Sequence, residues 1–247
     1  MEIWKGNAKP IEDVDLPRIG GLIGVGEDEI HAVLDVESAG SGFDRQGRVK
    51  MLFEPHIFWR LLGDGAKRAA AARQGLARPK WKRDYPKDSY PRLIAAMAID
   101  EEIALQSASW GLGQIMGFNH AIAGYPSARA MVAAFADDED QHLTAMVKFI
   151  TANKLDDALR RHDWAAFARG YNGAGFAKNG YDRKLKAAFE RWQKIKDTPV
   201  TTSRDAPPNG APAPGVEGKT GSVALGATLA ALAATIALLW GSIISRL

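Results

Sequence analysis

The stretch GSVALGATLAALAATIALLWGSIIS, residues 221–245, carries no charged side chain. At about 1.5 Å per residue, a helix of that length crosses a hydrocarbon core roughly 30 Å thick. It is apolar on every face, which disfavours a buried core helix. Trp240 suits a membrane interface and Arg246 a polar flank. Before it, residues 197–220 read DTPVTTSRDAPPNGAPAPGVEGKT, a Pro- and Gly-rich segment that forms a partly extended tether rather than a packed element. The expected organisation is a folded domain over 1–196, a linker over 197–220 and a C-terminal transmembrane helix within 221–247. The first residues, MEIWKGNAKPIEDVD, lack the apolar core of a secretory leader.

The first 196 residues must therefore hold the chemistry. Of the 247 residues 46% are hydrophobic and 25% charged, which is ordinary for a globular chain with a real core. The net charge of +3 only tolerates an anionic partner. Cysteine is absent, which excludes disulfides, thiolate metal sites and a thiol nucleophile. The five histidines have no metal-ligand spacing, and GGLIGVG does not match a dinucleotide-binding loop, so neither metal nor cofactor is expected.

Nearly all of the domain reads as helix. Helices are expected over 28–37, 55–62, 91–106, 139–153, 155–161, 164–169 and 181–194, with one more capped by Ser127. Only residues 43–54, FDRQGRVKMLFE, read as strand: a hairpin with its turn near Gln46-Gly47 and alternating Val49, Met51 and Phe53. The fold class is mainly α with one small β hairpin. The basic segment 63–93 reads as a solvated loop face. Its Trp81, Tyr85 and Tyr90 do not suffice for nucleic-acid binding without a matching fold signature.

One carboxylate stands out. Ile30, Val33, Leu34 and Glu37 are spaced as one helix face, three of them apolar, and Ser-Ala-Gly-Ser-Gly follows directly. A carboxyl group drawn partly out of water there resists ionisation, as a general acid working at neutral pH requires. The spacing alone leaves two alternatives: a helix that frays before Glu37, and a salt bridge to a nearby arginine.

Further stretches extend the pattern: SASWGLGQIMGFN (107–119), RGYNGAGF (169–176) and LFEPHIFWR (52–60). Glu-Ser before a Gly-rich turn, then G-L-x-Q, then Y-N-x-x-G, resembles the goose-type lysozyme and lytic transglycosylase superfamily. The likeness is closer to the N-acetylmuramidase domain of bacteriophage endolysins, and it covers about Pro10 to Trp192. It implies a lysozyme-like fold that cleaves the β-1,4 bond between N-acetylmuramic acid and N-acetylglucosamine, with Glu37 as the acid. It implies that Glu54 is a second carboxylate, orienting water or stabilising cationic charge; a salt bridge to Arg48 or Arg60 is its structural alternative. It further implies that Gln114, Tyr171 and Asn172 line the cleft and hydrogen-bond sugar, whereas capping or loop bracing is the alternative for Gln114 and Asn172. Trp110 reads as core. The wall-binding module that many such endolysins carry at the N-terminus has no room ahead of the first helix. The expected partners are peptidoglycan and, through the tail, a membrane, with the chain a monomer held at the inner membrane and acting on periplasmic peptidoglycan. Two rivals remain: a lytic transglycosylase, and a non-catalytic, membrane-anchored wall binder.

Overall fold

The computed structural model describes residues 2–38, 41–82 and 84–198. The proposed membrane helix and all but the first two residues of the tether lie outside them. Among the described residues no helix is long and apolar enough to cross a membrane.

Twelve helices and a three-stranded sheet make up the described residues. α1 (Asp15–Gly21) leads into α2 (Glu27–Glu37). α2 starts cleanly because Glu29 reaches back to accept the Gly26 N–H at 2.9 Å, and because Glu27, Asp28 and Glu29 place negative charge on its first turn. Ile30, Val33 and Leu34 face the core, and Ser38 ends the helix by donating its hydroxyl to the Leu34 carbonyl at 2.7 Å. Then come β1 (Met51–Phe53), α3 (Pro55–Leu62), α4 (Ala66–Arg73), α5 (Tyr90–Met97), α6 (Glu101–Gln106), β2 (Ala108–Trp110) and β3 (Ile115–Met116). The chain continues through α7 (Ala128–Asp137), α8 (Glu139–Ala152), α9 (Asp156–Arg160), α10 (Trp164–Asn172), α11 (Phe176–Asn179) and α12 (Tyr181–Trp192).

α8 runs through the core, burying Leu143, Ala145, Met146, Phe149 and Ile150. α10 packs onto it through Tyr171, whose ring stands edge-on to Phe149 and stacks on Phe167. α12 runs back along α2. Tyr181, at its start, lies within electrostatic reach of Glu37, and Trp192, at its end, stacks on His31 with ring centroids 3.6 Å apart and bonds Asp35. The chain after α12 keeps that direction until the Thr198 N–H donates to Glu27 at 2.6 Å.

The structure departs from the sequence reading in four places. The 43–54 hairpin is only a turn: Gly47 N–H donates to the Asp44 carbonyl and a single bridge joins Phe43 to Val49. The strand that follows pairs instead with a distant segment, Met51 opposite Trp110 and Phe53 opposite Ala108, and β2 folds back onto β3. The first limb of the supposed hairpin emerges too soon after α2 to give β1 a partner, whereas SASW supplies one whose Trp110 is fully buried. The helix expected over 91–106 breaks at Asp100, whose carboxylate caps a new helix by accepting the Ile103 N–H. α4 rises within the basic segment, where the run AKRAAAAR has high helix propensity. α1 precedes the first helix expected from the sequence.

Candidate active site

α2 delivers its last residue, Glu37, to a cavity of about 430 Å³. The cavity is also lined by Ser38, the turn residues Asp44 and Arg48, Lys50 and Met51 leading into β1, the segment 87–90, and Gln114. The glutamate is half-buried, and Asn172 Nδ2 donates to its Oε1 at 2.6 Å. Loss of water raises its pKa to about 7; the Asn172 hydrogen bond and the Lys184 charge pull the other way without cancelling that effect. The helix does not fray before Glu37, and among the described residues no arginine forms an ion pair with it. A carboxyl group with this acidity keeps a substantial protonated fraction as pH approaches neutral and can give its proton to a leaving oxygen.

The residues expected around Glu37 divide by location. Gln114 lines the cavity, in a left-handed backbone conformation (φ 47°) that is costly for a residue with a Cβ. Its side chain is tied internally: Oε1 accepts from Ser109 Oγ at 2.9 Å and Nε2 donates to the Gly111 carbonyl at 2.8 Å. Asn172 is fully buried and gives an amide N–H to Glu37, so its side chain faces that carboxyl rather than open space. Tyr171 does not reach the cavity. It is 0% exposed and its hydroxyl donates to the Gly113 carbonyl at 3.0 Å, forming a strut between α10 and the loop before β3.

Glu54 is not among the cavity-lining residues. It is 5% exposed at the head of α3, and its Oε2 accepts the Tyr85 hydroxyl at 2.6 Å, with His56 Nδ1 3.3 Å away. Tyr85 in turn accepts from Trp81 Nε1 at 2.7 Å. The alternative pairing with Arg48 or Arg60 does not form either: Arg48 holds Asp44 and Asp88, and Arg60 lies over the Phe118 ring.

Sequence reasoning missed the charged wall formed by Asp44, Arg48, Lys50, Lys87 and Asp88. The basic excess of residues 63–93 marked only the Lys87 and Asp88 side of it, and nothing in the sequence says that Arg48 bridges to Asp88. Among the described residues no cluster of His, Asp and Glu is arranged to hold a metal.

A family model described as N-acetylmuramidase matches residues 27–193, from the first residue of α2 to just past α12. A comparison with curated proteins gives no match. Among solved structures, the crystal structure of the Burkholderia AP3 phage endolysin is similar, at 38% identity and a TM-score of 0.69 over 77% of this chain and 74% of that one. A helical fold holding one proton-retaining glutamate at a polar cavity, matched by this family over most of its length, makes the chain a member of the N-acetylmuramidase family, a glycoside hydrolase that degrades peptidoglycan.

Proposed function

We propose that the chain hydrolyses the β-1,4 bond between N-acetylmuramic acid and N-acetylglucosamine, with Glu37 as the general acid. The observation that carries this reading is the Glu37 carboxyl, desolvated to a pKa of about 7, braced by Asn172 and lining the cavity. Protonation of the glycosidic oxygen by Glu37 lets the C–O bond break as positive charge develops at the anomeric carbon, which water then attacks, losing its proton to the now ionised Glu37 carboxylate. Asn172 fixes which oxygen of Glu37 faces the substrate, and Gln114 holds the loop that shapes the wall. Glu54 serves as the anchor that binds Tyr85, and with it the 81–90 segment, to the head of α3.

A lytic transglycosylase, in which the muramic 6-hydroxyl replaces water, needs no second carboxylate. One observation favours it: the other cavity carboxylates, Asp44 and Asp88, are both engaged by Arg48. Mass spectrometry of digested wall separates the two: reducing muramic ends mean hydrolysis, and 1,6-anhydro ends mean transglycosylation. Under either chemistry Glu37→Gln folds and stops cleaving purified peptidoglycan; wild-type rates in that variant remove Glu37 from the mechanism.

The uncharged stretch 221–245 supports anchoring at the inner membrane, from which the tether lets the domain reach periplasmic wall. The full-length chain is expected to pellet with membranes and resist high salt, and a chain ending near Asp197 to be soluble and active. Recovery of the full-length chain without detergent removes the anchor.

A further inference from the structure

The cavity wall holds three polar groups that the acid chemistry leaves unused. Lys50 and Lys87 line the cavity, and among the described residues neither forms an ion pair. The carboxylates that would neutralise them, Asp44 and Asp88, are both claimed by Arg48, at 2.7 and 3.3 Å. Lys50 projects from a fixed point, since its backbone N–H donates to Gly42 and its carbonyl accepts from Gly111. Ser89 is the third. It is 5% exposed, lines the cavity and sits at the N-cap of α5, yet its hydroxyl has no hydrogen-bond partner. An N-cap serine ordinarily spends that hydroxyl on the helix; here Asp88 does the task by accepting the Tyr90 N–H at 2.9 Å. A buried hydroxyl without a partner is costly, and two lysines lining the same cavity define what would satisfy it: an anion with planar acceptor oxygens.

We propose that Lys50, Lys87 and Ser89 form a carboxylate-binding subsite that selects glycan bearing acidic substituents over neutral amino-sugar polymer. The inference rests on the cavity being the glycan cleft of the proposed muramidase. Two sources supply the carboxylate: the stem peptide of peptidoglycan, and the lactyl group of a muramic residue whose peptide has been removed. The lysines draw the anion in by charge, and Ser89 donates a directed hydrogen bond that fixes its place along the wall.

Calorimetric titration in the Glu37→Gln background, where the sugars stay intact, tests it. The probes are a peptidoglycan tetrasaccharide with stem peptides, the same tetrasaccharide after amidase treatment, and chitotetraose. At least one acidic probe is expected to bind about tenfold more tightly than chitotetraose; the tighter of the two identifies the source. Adding Lys50→Gln and Lys87→Gln should abolish the preference while leaving chitotetraose affinity unchanged, and Ser89→Ala should weaken only the acidic probe. A preference that is absent, or that survives the double lysine change, overturns the subsite. Cleavage of purified peptidoglycan by the wild-type chain is measured alongside: cleavage without the preference refutes the subsite and leaves the muramidase standing, whereas preference without cleavage supports the subsite and refutes the muramidase.

Discussion

Glu37 and Glu54 are both glutamates withdrawn from water at a helix end, yet their surroundings differ. Glu37 is touched by a neutral amide at the tip of a helix and meets a cation only at a distance, so losing water governs its acidity. Glu54 is the acceptor at the bottom of a Trp81–Tyr85 chain, with His56 beside it, and the cavity passes it by. Burial of a carboxylate is therefore no sign of a proton donor by itself. What separates the two is the chemistry of their partners and whether the carboxyl reaches space where a substrate fits.

The sharpest break of this contrast is a pair of isosteric changes. Glu37→Gln should reduce lytic rate by about 10²–10⁴-fold or more in a chain that still folds. Glu54→Gln should leave the folded fraction within a few fold of wild-type rate and lower stability. Equal rate losses in the two would return Glu54 to the chemistry.

The second effect is in stability against pH. Glu37 is raised from about 4.5 in the unfolded chain to about 7 in the fold, so the folded state binds more protons between those values. Its contribution is present in full below about pH 4.5 and is lost as pH rises through about 7, at most about 3 kcal/mol. Denaturant titrations of wild type against Glu37→Gln isolate it: the difference should follow that direction, and a pH-independent difference would mean that the carboxyl is not desolvated.

Third, Tyr85→Phe removes the hydroxyl between Trp81 and Glu54 and leaves a buried carboxylate short of a donor. A loss of about 1–3 kcal/mol is expected, with near-normal turnover per folded molecule. Urea unfolding measures the first and specific activity the second; an unchanged midpoint would show that the chain of hydrogen bonds anchors nothing. The smallest effect belongs to Lys184, whose charge lowers the Glu37 pKa. Lys184→Gln should move the alkaline limb of the kcat/KM profile upward, and added salt should move the wild-type limb the same way by screening. A limb that stays fixed would assign it to another group.

The sequence exposed Glu37 because a helix repeat is local: four residues within two turns suffice to place it on the buried face. Asn172 was found as a residue, but its hydrogen bond to Glu37 could not be read, since its orientation depends on where α10 meets α2. Tyr171 could have been read as core from its own helix, because Trp164, Phe167, Ala168 and Tyr171 form one buried stripe. The sheet was half legible. Alternation marked β1, but its partner lies more than fifty residues on, in two- and three-residue strands too short for any period to register. The Arg48–Asp88 bridge and the orphaned Ser89 hydroxyl were beyond reach for the same reason: both come from chain closure, which one-dimensional pattern does not encode.

The bond from the Thr198 backbone to Glu27 has a mechanical consequence. Glu27 opens α2 and Glu37 closes it, so about 15 Å of helix separates the point where the described chain leaves the domain from Glu37. α12 lies antiparallel between them. Tension applied from beyond Thr198 is therefore taken up in sequence, like a zipper opened from its far end. The Thr198–Glu27 bond yields first, then the Trp192 stack on His31, and only then the contacts of Tyr181 beside the acid. A tug on the C-terminal side frays the domain at its far end first, and Glu37 is the last part of that seam to feel the load.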